Sequence, residues 1–304
     1  MRRVAAVDCG TNSVRLLVAD VRGDVKHDLH RELRVVRLGQ GVDATGELAP
    51  EAIERTRVAL TDYAVTCRDF GAESVRMVAT SATRDARNRD VFVQMVRETL
   101  GVPPEVVSGD EEAALSFDGA TRELELEQAP FLVFDIGGGS TELVVGSRTV
   151  EAARSVDVGC VRLTERHLHD DAPTAAQVAA AEADVDAALA VVRETVPVER
   201  ARTAVGVAGT VTTVAAHALR LPTYQADRLH LARLPHDAVV RACTELLEMP
   251  REQRAALPFM HPGRVDVIGA GALVLRRIVE RLELPEVVVS EADILDGIAW
   301  SVGT

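Results

Sequence analysis

The chain has 304 residues, with 34 basic side chains against 47 acidic ones and a formal net charge of −13, a balance that repels nucleic acid and anionic membrane surfaces. Its length suggests two domains, and 47% hydrophobic with 27% charged residues is a globular composition rather than a disordered one. No apolar run approaches the roughly 20 residues that span a bilayer, and the N-terminus runs into a strand pattern without a secretory leader, so a cytoplasmic protein is expected.

In chain order, residues 4–7 read as an apolar strand. It ends in Asp8 and the turn Gly10-Thr11-Asn12-Ser13, and a second apolar run follows. A helical pattern covers 50–70. Residues 75–79 form a strand that opens into Thr80-Ser81, and 90–100 a helix. Residues 105–107 form a strand leading through Ser108-Gly109-Asp110-Glu111-Glu112 into a helix over 113–121. The polar stretch 123–128 is the expected joint between a first domain, 1–125, and a second, 126–304, whose last helix is able to pack back on the first. Residues 131–134 repeat the opening strand. A helix over 174–196 has Thr174 as N-cap and Pro197 beyond its end. A strand over 204–208 ends in Gly209-Thr210, a helix covers 235–246, and a strand over 265–268 precedes a helix over 272–282. Strands alternating with helices imply an α/β sheet covered by helices.

The most informative feature is a repeat at an offset of 127 residues. Asp8, Gly10 and Ser13 correspond to Asp135, Gly137 and Ser140, each set followed by an apolar triplet. A repeat of that length is a domain duplication. Each copy is a strand, a Gly-rich turn and a strand, with an acid at the entrance. Glycines let several peptide N–H groups approach one anion, Ser and Thr hydroxyls add donors, and the acid can hold a divalent cation that touches phosphate. Neither turn is a GxGxxG opening a helix. Gly269-x-Gly271 lacks the third glycine and suits packing.

Lys26 is the only lysine, which removes the lysine-dependent phosphate loop and argues against Schiff-base chemistry. Anion recognition then falls to arginine, backbone N–H groups or a metal. Cys9, Cys67, Cys160 and Cys243 are too far apart for a zinc or redox pair and are expected to be reduced and buried. His167 and His169 have no second ligand set to make a metal site.

Together these blocks resemble the exopolyphosphatase / guanosine pentaphosphate phosphohydrolase (Ppx/GppA) family. The two hairpins carry the resemblance with Thr80-Ser81-Ala82-Thr83-Arg84-Asp85-Ala86-Arg87-Asn88, Ser108-Gly109-Asp110-Glu111-Glu112-Ala113, and Arg264-x-Asp266-x-Ile268. It spans nearly the whole chain. It implies an α/β fold of the duplicated actin-like, sugar-kinase-like ATPase type, two related domains with an inter-domain cleft. It also implies Mg²⁺-dependent release of orthophosphate from inorganic polyphosphate, with Mn²⁺ able to replace Mg²⁺, and often a homodimer. Guanosine pentaphosphate is the rival substrate, and a regulator that binds these anions without turnover is the rival class.

Carried over residue by residue, the resemblance makes Glu112 the catalytic acid/base, with Glu111 a capping or solvated residue. Asp135 and Asp8 become metal-associated acids. Glu142 joins them or faces a cross-strand partner. Gly10, Thr11, Asn12, Ser13, Gly137, Gly138, Gly139, Ser140 and Thr141 bind phosphate, and Arg84 clamps it, while Arg87 and Arg89 are solvated. Asn12 and Asn88 are anion donors or turn formers. Asp296 stands where the family's ending leads one to expect an arginine-containing run, and His230 receives no role. With a net charge of −13 and no further C-terminal domain to supply a basic track, short polyphosphate chains are the expected substrates.

Overall fold

The structure is a computed structural model describing residues 1–303. The chain divides into two compact units, Met1–Arg122 with the stretch from Asp293 onward, and Glu123–Ala292. The crossing therefore falls at Arg122/Glu123, and the last helix belongs with the first unit.

The first unit holds β1 (Arg2–Cys9), β2 (Ser13–Arg22), β3 (Val25–Val35), β4 (Ser74–Ala79) and β5 (Glu105–Val106), in the spatial order β3-β2-β1-β4-β5. The β1–β2 and β2–β3 pairs are antiparallel; β1–β4 and β4–β5 are parallel. Side chains alternate across a strand, so β1 sends Ala5, Val7 and Cys9 to one face and Val4 and Ala6 to the other. The first face is covered by helices Pro50–Asp69 and Arg89–Leu100, through Leu60, Tyr63, Phe92 and Val96. The second is covered by Gly109–Thr121 and Ile294–Gly303, through Leu115, Leu295, Ile298 and Trp300. These two helices meet backbone to backbone. A Cβ on Gly297 would overlap the Leu115 carbonyl, and one on Gly119 the Asp293 carbonyl.

The second unit holds β6 (Phe131–Ile136), β7 (Thr141–Gly146), β8 (Val150–Val156), β9 (Thr203–Val207), β10 (Arg233–Pro235) and β11 (Glu286–Val289), in the order β10-β11-β9-β6-β7-β8. Taken from its other edge, β8-β7-β6-β9-β11 reproduces the first sheet strand for strand and sense for sense, and β10 adds an antiparallel edge. The duplication read from the 127-residue offset is thus a duplication of fold, one α/β strand order built twice. Leu132, Phe134 and Ile136 of β6 enter a core with Val185 and Leu189 of the Ala175–Thr195 helix, Val214 of Ala208–Ala218 and Ile278 of Ile268–Arg281. Thr174 opens the first of these helices in a capping box with Gln177.

Two local differences have clear causes. Residues 265–267, expected as strand, form the turn into the Ile268–Arg281 helix, where the Val267 N–H donates to Arg264 O at 3.0 Å. The apolar alternation there reflects a buried Val265 beside Asp266, which pairs with Arg251 at 2.7 Å. The strands β3 and β8 carry little apolar periodicity, since they lie at sheet edges with many side chains at least part-exposed. All four cysteines are unpaired and buried. Among the described residues no helix is long and apolar enough to cross a membrane.

Candidate active site

The two hairpins share their internal geometry. In the first, Gly10 N–H donates to Ser13 O at 3.0 Å; in the second, Gly137 N–H donates to Ser140 O at 3.0 Å. The loop carbonyls are then tied down. Thr11 O accepts from Gly39 N (2.8 Å), and Asn12 O from Val36 N (3.1 Å) and Arg37 N (2.8 Å). In the second loop, Gly137 O accepts from Cys160 N (3.0 Å) and Gly138 O from Val161 N (2.8 Å) and Arg162 N (3.1 Å). Gly139 O accepts from Arg162 Nε at 2.7 Å. A trans peptide points its C=O and N–H in opposite directions, so a loop whose carbonyls are all held on one side presents its N–H groups on the other.

The side chains divide differently. Among the described residues the buried Thr11 hydroxyl has no hydrogen-bond partner. The Thr141 hydroxyl instead donates to Val158 O at 2.6 Å. Ser140 is buried, and Ser13 and Asn12 lie where the first turn meets β2.

The residue facing each entrance acid differs between the copies. Asp8 pairs in register with Arg15 on β2, and Asp135 with Glu142 on β7; the two partners are again 127 apart. Arg15 Nε and Nη2 reach Asp8 Oδ2 at 2.9 and 2.7 Å, and Arg15 Nη1 also bonds Asp293. Burial pushes the Asp8 carboxyl up, against the opposing pull of Arg15. Burial likewise works against the Arg15 charge, yet Asp293 and Asp8 hold that guanidinium well above the ordinary arginine range. Asp293 accepts from Leu295 N at 3.0 Å at the start of the last helix, fixing the far side of this clamp. Asp135 and Glu142 are buried acids directly across from one another, and Ser155 Oγ, the next residue in register on β8, donates to Glu142 Oε1 at 2.7 Å.

Glu112 lies in the first turn of the Gly109–Thr121 helix, whose N-cap Ser108 accepts from Glu111 N. Glu112 is 8% exposed. Arg84, at the end of the short Ser81–Asp85 helix, donates from Nη1 to Glu112 Oε2 at 2.8 Å and to Val107 O at 3.2 Å. Glu111 points to Arg76 at 3.1 Å with about half of its side chain exposed, a surface role. Asn88 spends its amide on the Leu48 backbone, accepting at 2.8 Å and donating at 2.9 Å, so it forms a turn.

A sequence profile described as the Ppx/GppA phosphatase family matches residues 17–302. The chain belongs to the Ppx/GppA phosphatase family. It is 55% identical to Exopolyphosphatase 2 of Mycobacterium tuberculosis over 99% of both chains. It superposes on an exopolyphosphatase-like protein at 42% identity with a TM-score of 0.96, covering 99% of this chain and 98% of that one. The PPX-GPPA enzyme of Aquifex aeolicus matches at 30% identity and a TM-score of 0.82 over 99% of each chain.

Within this family member, the metal question turns on donor chemistry. Two carboxylates directly opposed on neighbouring strands repel each other, and oxygen-only donors suit Mg²⁺, which keeps several waters and takes one or two carboxylates together with substrate phosphate. Asp135 and Glu142 fit such an ion. Among the described residues no group of three or more His, Cys, Asp or Glu is assembled. Asp8 fits less well, because the Arg15 fork already occupies its Oδ2. Asp8, expected beside Asp135 as a metal-associated acid, anchors Arg15 through Oδ2.

Four residues of this arrangement carried no signal of their own in the sequence. Arg15, Arg162, Ser155 and Asp293 become meaningful only through pairings across strands or between distant segments. Arg15 was nonetheless reachable: once the hairpins are aligned, cross-strand register places it beside Asp8. Gly159 is a fifth: a Cβ there would come within 2.5 Å of Gly138 O and 2.7 Å of Gly139 N, so the second loop closes only over glycine. His230, without a role in the sequence, sits 2.8 Å from Glu123 Oε2 through Nε2 and accepts from Glu291 N through Nδ1 at 3.2 Å. It ties the segment where the chain enters the second unit to the segment where it leaves.

Proposed function

We propose that this protein is an exopolyphosphatase: it transfers the terminal phosphoryl group of inorganic polyphosphate to water, releasing orthophosphate and a chain shorter by one unit. The observation that carries this reading is the 55% identity, over 99% of both chains, to a protein named Exopolyphosphatase 2. Catalysis of phosphoryl transfer rests on positioning and charge stabilisation, and the held loops, the opposed acids and the Arg84–Glu112 pair support this reading.

In this reading the N–H groups of the second loop and the Thr11 hydroxyl bind phosphate oxygens. Asp135 and Glu142 hold Mg²⁺, with Mn²⁺ as a substitute; when bound, the ion neutralises charge on the phosphates. Glu112 orients the attacking water and accepts its proton, and Arg84 holds the Glu112 carboxylate in place. Arg84 therefore acts on Glu112 as well as offering permanent charge to phosphate. Four buried thiols suit a reducing cytoplasm. A homodimer belongs to the same reading and is checked by sedimentation.

The deciding assay measures phosphate release from tripolyphosphate, long-chain polyphosphate and guanosine pentaphosphate, each with and without Mg²⁺. The expected result is Mg²⁺-dependent release from polyphosphate, fastest per chain end on short chains. Release from guanosine pentaphosphate alone would make the protein a nucleotide phosphohydrolase. Tight binding of either anion with no release in any metal would make it a sensor.

A further inference from the structure

The duplicated loops offer an internal comparison. The carbonyl of Asn12 in the first loop corresponds to that of Gly139 in the second. Two backbone N–H groups, of Val36 and Arg37, hold the first. A side chain, Arg162 through Nε, donates to the second at 2.7 Å. The neighbouring carbonyls of Gly137 and Gly138 are held by the backbone N–H groups of Cys160, Val161 and Arg162. Three successive peptides are thus anchored, two by main chain and one by a guanidinium.

None of these peptide bonds is cis, so each anchored C=O fixes the opposite direction of the next residue's N–H. Holding Gly137 O aims Gly138 N–H, holding Gly138 O aims Gly139 N–H, and holding Gly139 O aims Ser140 N–H. Among the described residues none of these three N–H groups has an acceptor within the protein. With the three carbonyls drawn toward residues 160–162, these N–H groups face away from that segment, and successive backbone amides presented in this way bind anions.

We propose that Arg162 is a positioning residue for phosphate binding: by drawing back the Gly139 carbonyl it aims the Ser140 N–H at a substrate phosphate oxygen. The proposal rests on the second loop being a phosphate loop. It differs from a general charge effect, because what matters is one N–H donor at one atom position. Glutamine tests that difference, since its Nε2 stands at the same place along the side chain as arginine Nε and keeps a donor without the charge. Methionine fills the same length with no donor.

The experiment follows the ¹⁵N–¹H resonances of Gly138, Gly139 and Ser140 in the full chain as methylenebisphosphonate, whose P–C–P bridge resists hydrolysis, is added with Mg²⁺. In the unmodified protein all three amide protons are expected to move downfield. In Arg162→Met the Ser140 shift is expected to fall by at least half while those of Gly138 and Gly139 persist. KM for tripolyphosphate is expected to rise about tenfold with kcat little changed, as for a lost hydrogen bond to a charged group that binds ground state and transition state alike. Arg162→Gln is expected to keep the Ser140 shift and most of the affinity. Equal loss in the Gln and Met variants means that charge, not the tie, is at work and overturns the proposal; so does an undiminished Ser140 shift in Arg162→Met. If the Met variant fails to fold, the Gln variant decides alone, because loss of its Ser140 shift contradicts the proposal and retention supports it. Absence of any shift in the unmodified protein removes the phosphate-loop reading itself and the proposal with it.

Discussion

A single cross-strand exchange separates the two hairpins. Asp8 faces Arg15 and Asp135 faces Glu142, so one copy of the duplicated site is an internal ion pair and the other a pair of acids. This predicts different responses to the same chemical change. Glu142→Gln removes a hard anionic donor and is expected to raise the Mg²⁺ concentration needed for half-maximal activity by about tenfold or more, roughly the cost of losing one carboxylate contact. Asp8→Asn, read by the same titration, is expected to leave the Mg²⁺ requirement within about twofold and to lower stability instead, because Arg15 keeps only Asp293 as a charged partner in the clamp. A large Mg²⁺ shift in Asp8→Asn would return that residue to the metal. The second test is Glu112. Glu112→Gln keeps a hydrogen-bonding group for Arg84 but cannot take a proton, so kcat is expected to fall on the order of 10²–10⁴-fold with substrate binding retained; unchanged turnover would remove Glu112 from the chemistry.

At the level of elements, the duplicated hairpins, their acids and the helix bearing Glu112 were legible because each is written locally: a glycine turn between apolar runs, or acids at the start of a helical run. What holds them was not. Lys26 and Arg31 lie on β3, and both pair with Asp296, at 3.0 and 2.6 Å, far along the chain. Burial works to raise the Asp296 pKa, and these two cations bring it below the usual carboxylate range. The helix pair Ala175–Thr195 and Ile268–Arg281 gives a test of this kind of long-range charge. Asp186 on the first is held by Arg281 and Arg277 on the second, with Arg277 Nη2 at 2.7 Å from Oδ2 and Arg281 Nε at 3.0 Å from Oδ1. Hydrogen bonding from Arg281 and then Arg277 brings its pKa down from 3.8 to about 2. A lowered carboxylate pKa stabilises the folded state above the unfolded value, and the effect disappears as pH falls through the folded value. Urea unfolding of the unmodified protein and of Asp186→Asn is therefore expected to show a constant stability gap above about pH 5 that closes as pH falls from about 4 toward 2. A gap that persists to the acid end would assign the loss to packing rather than charge.

For the whole molecule, the decisive quantity is the net charge of −13 set against a polyanionic substrate. Attraction to a long chain requires cations that neutralise many phosphates at once, and each such contact makes affinity fall with salt, with a log–log slope of about 0.7 per phosphate in single-stranded polyanions. A fourfold rise in salt then weakens binding by about 2.6-fold per neutralised phosphate. Here the cations near the assigned groups are largely committed: Arg15 to Asp8 and Asp293, Arg84 to Glu112, Arg162 to Gly139 O. In the proposed site most phosphate contacts would come from backbone N–H groups and a hydroxyl, which carry no net charge, with Arg84 the one charged donor, and an acidic surface would repel the rest of the chain over a Debye length of about 10 Å. Between about 50 and 200 mM salt, KM for long polyphosphate is accordingly expected to rise by less than about tenfold, and KM for tripolyphosphate by about the same factor. A basic track engaging six phosphates would give a rise of more than about a hundredfold, confined to the long chains, and steady-state measurements at four salt concentrations separate the two. A steep, length-dependent rise would mean that this acidic protein carries a local cationic path strong enough to override its overall charge, and the preference for short chains would fall with it.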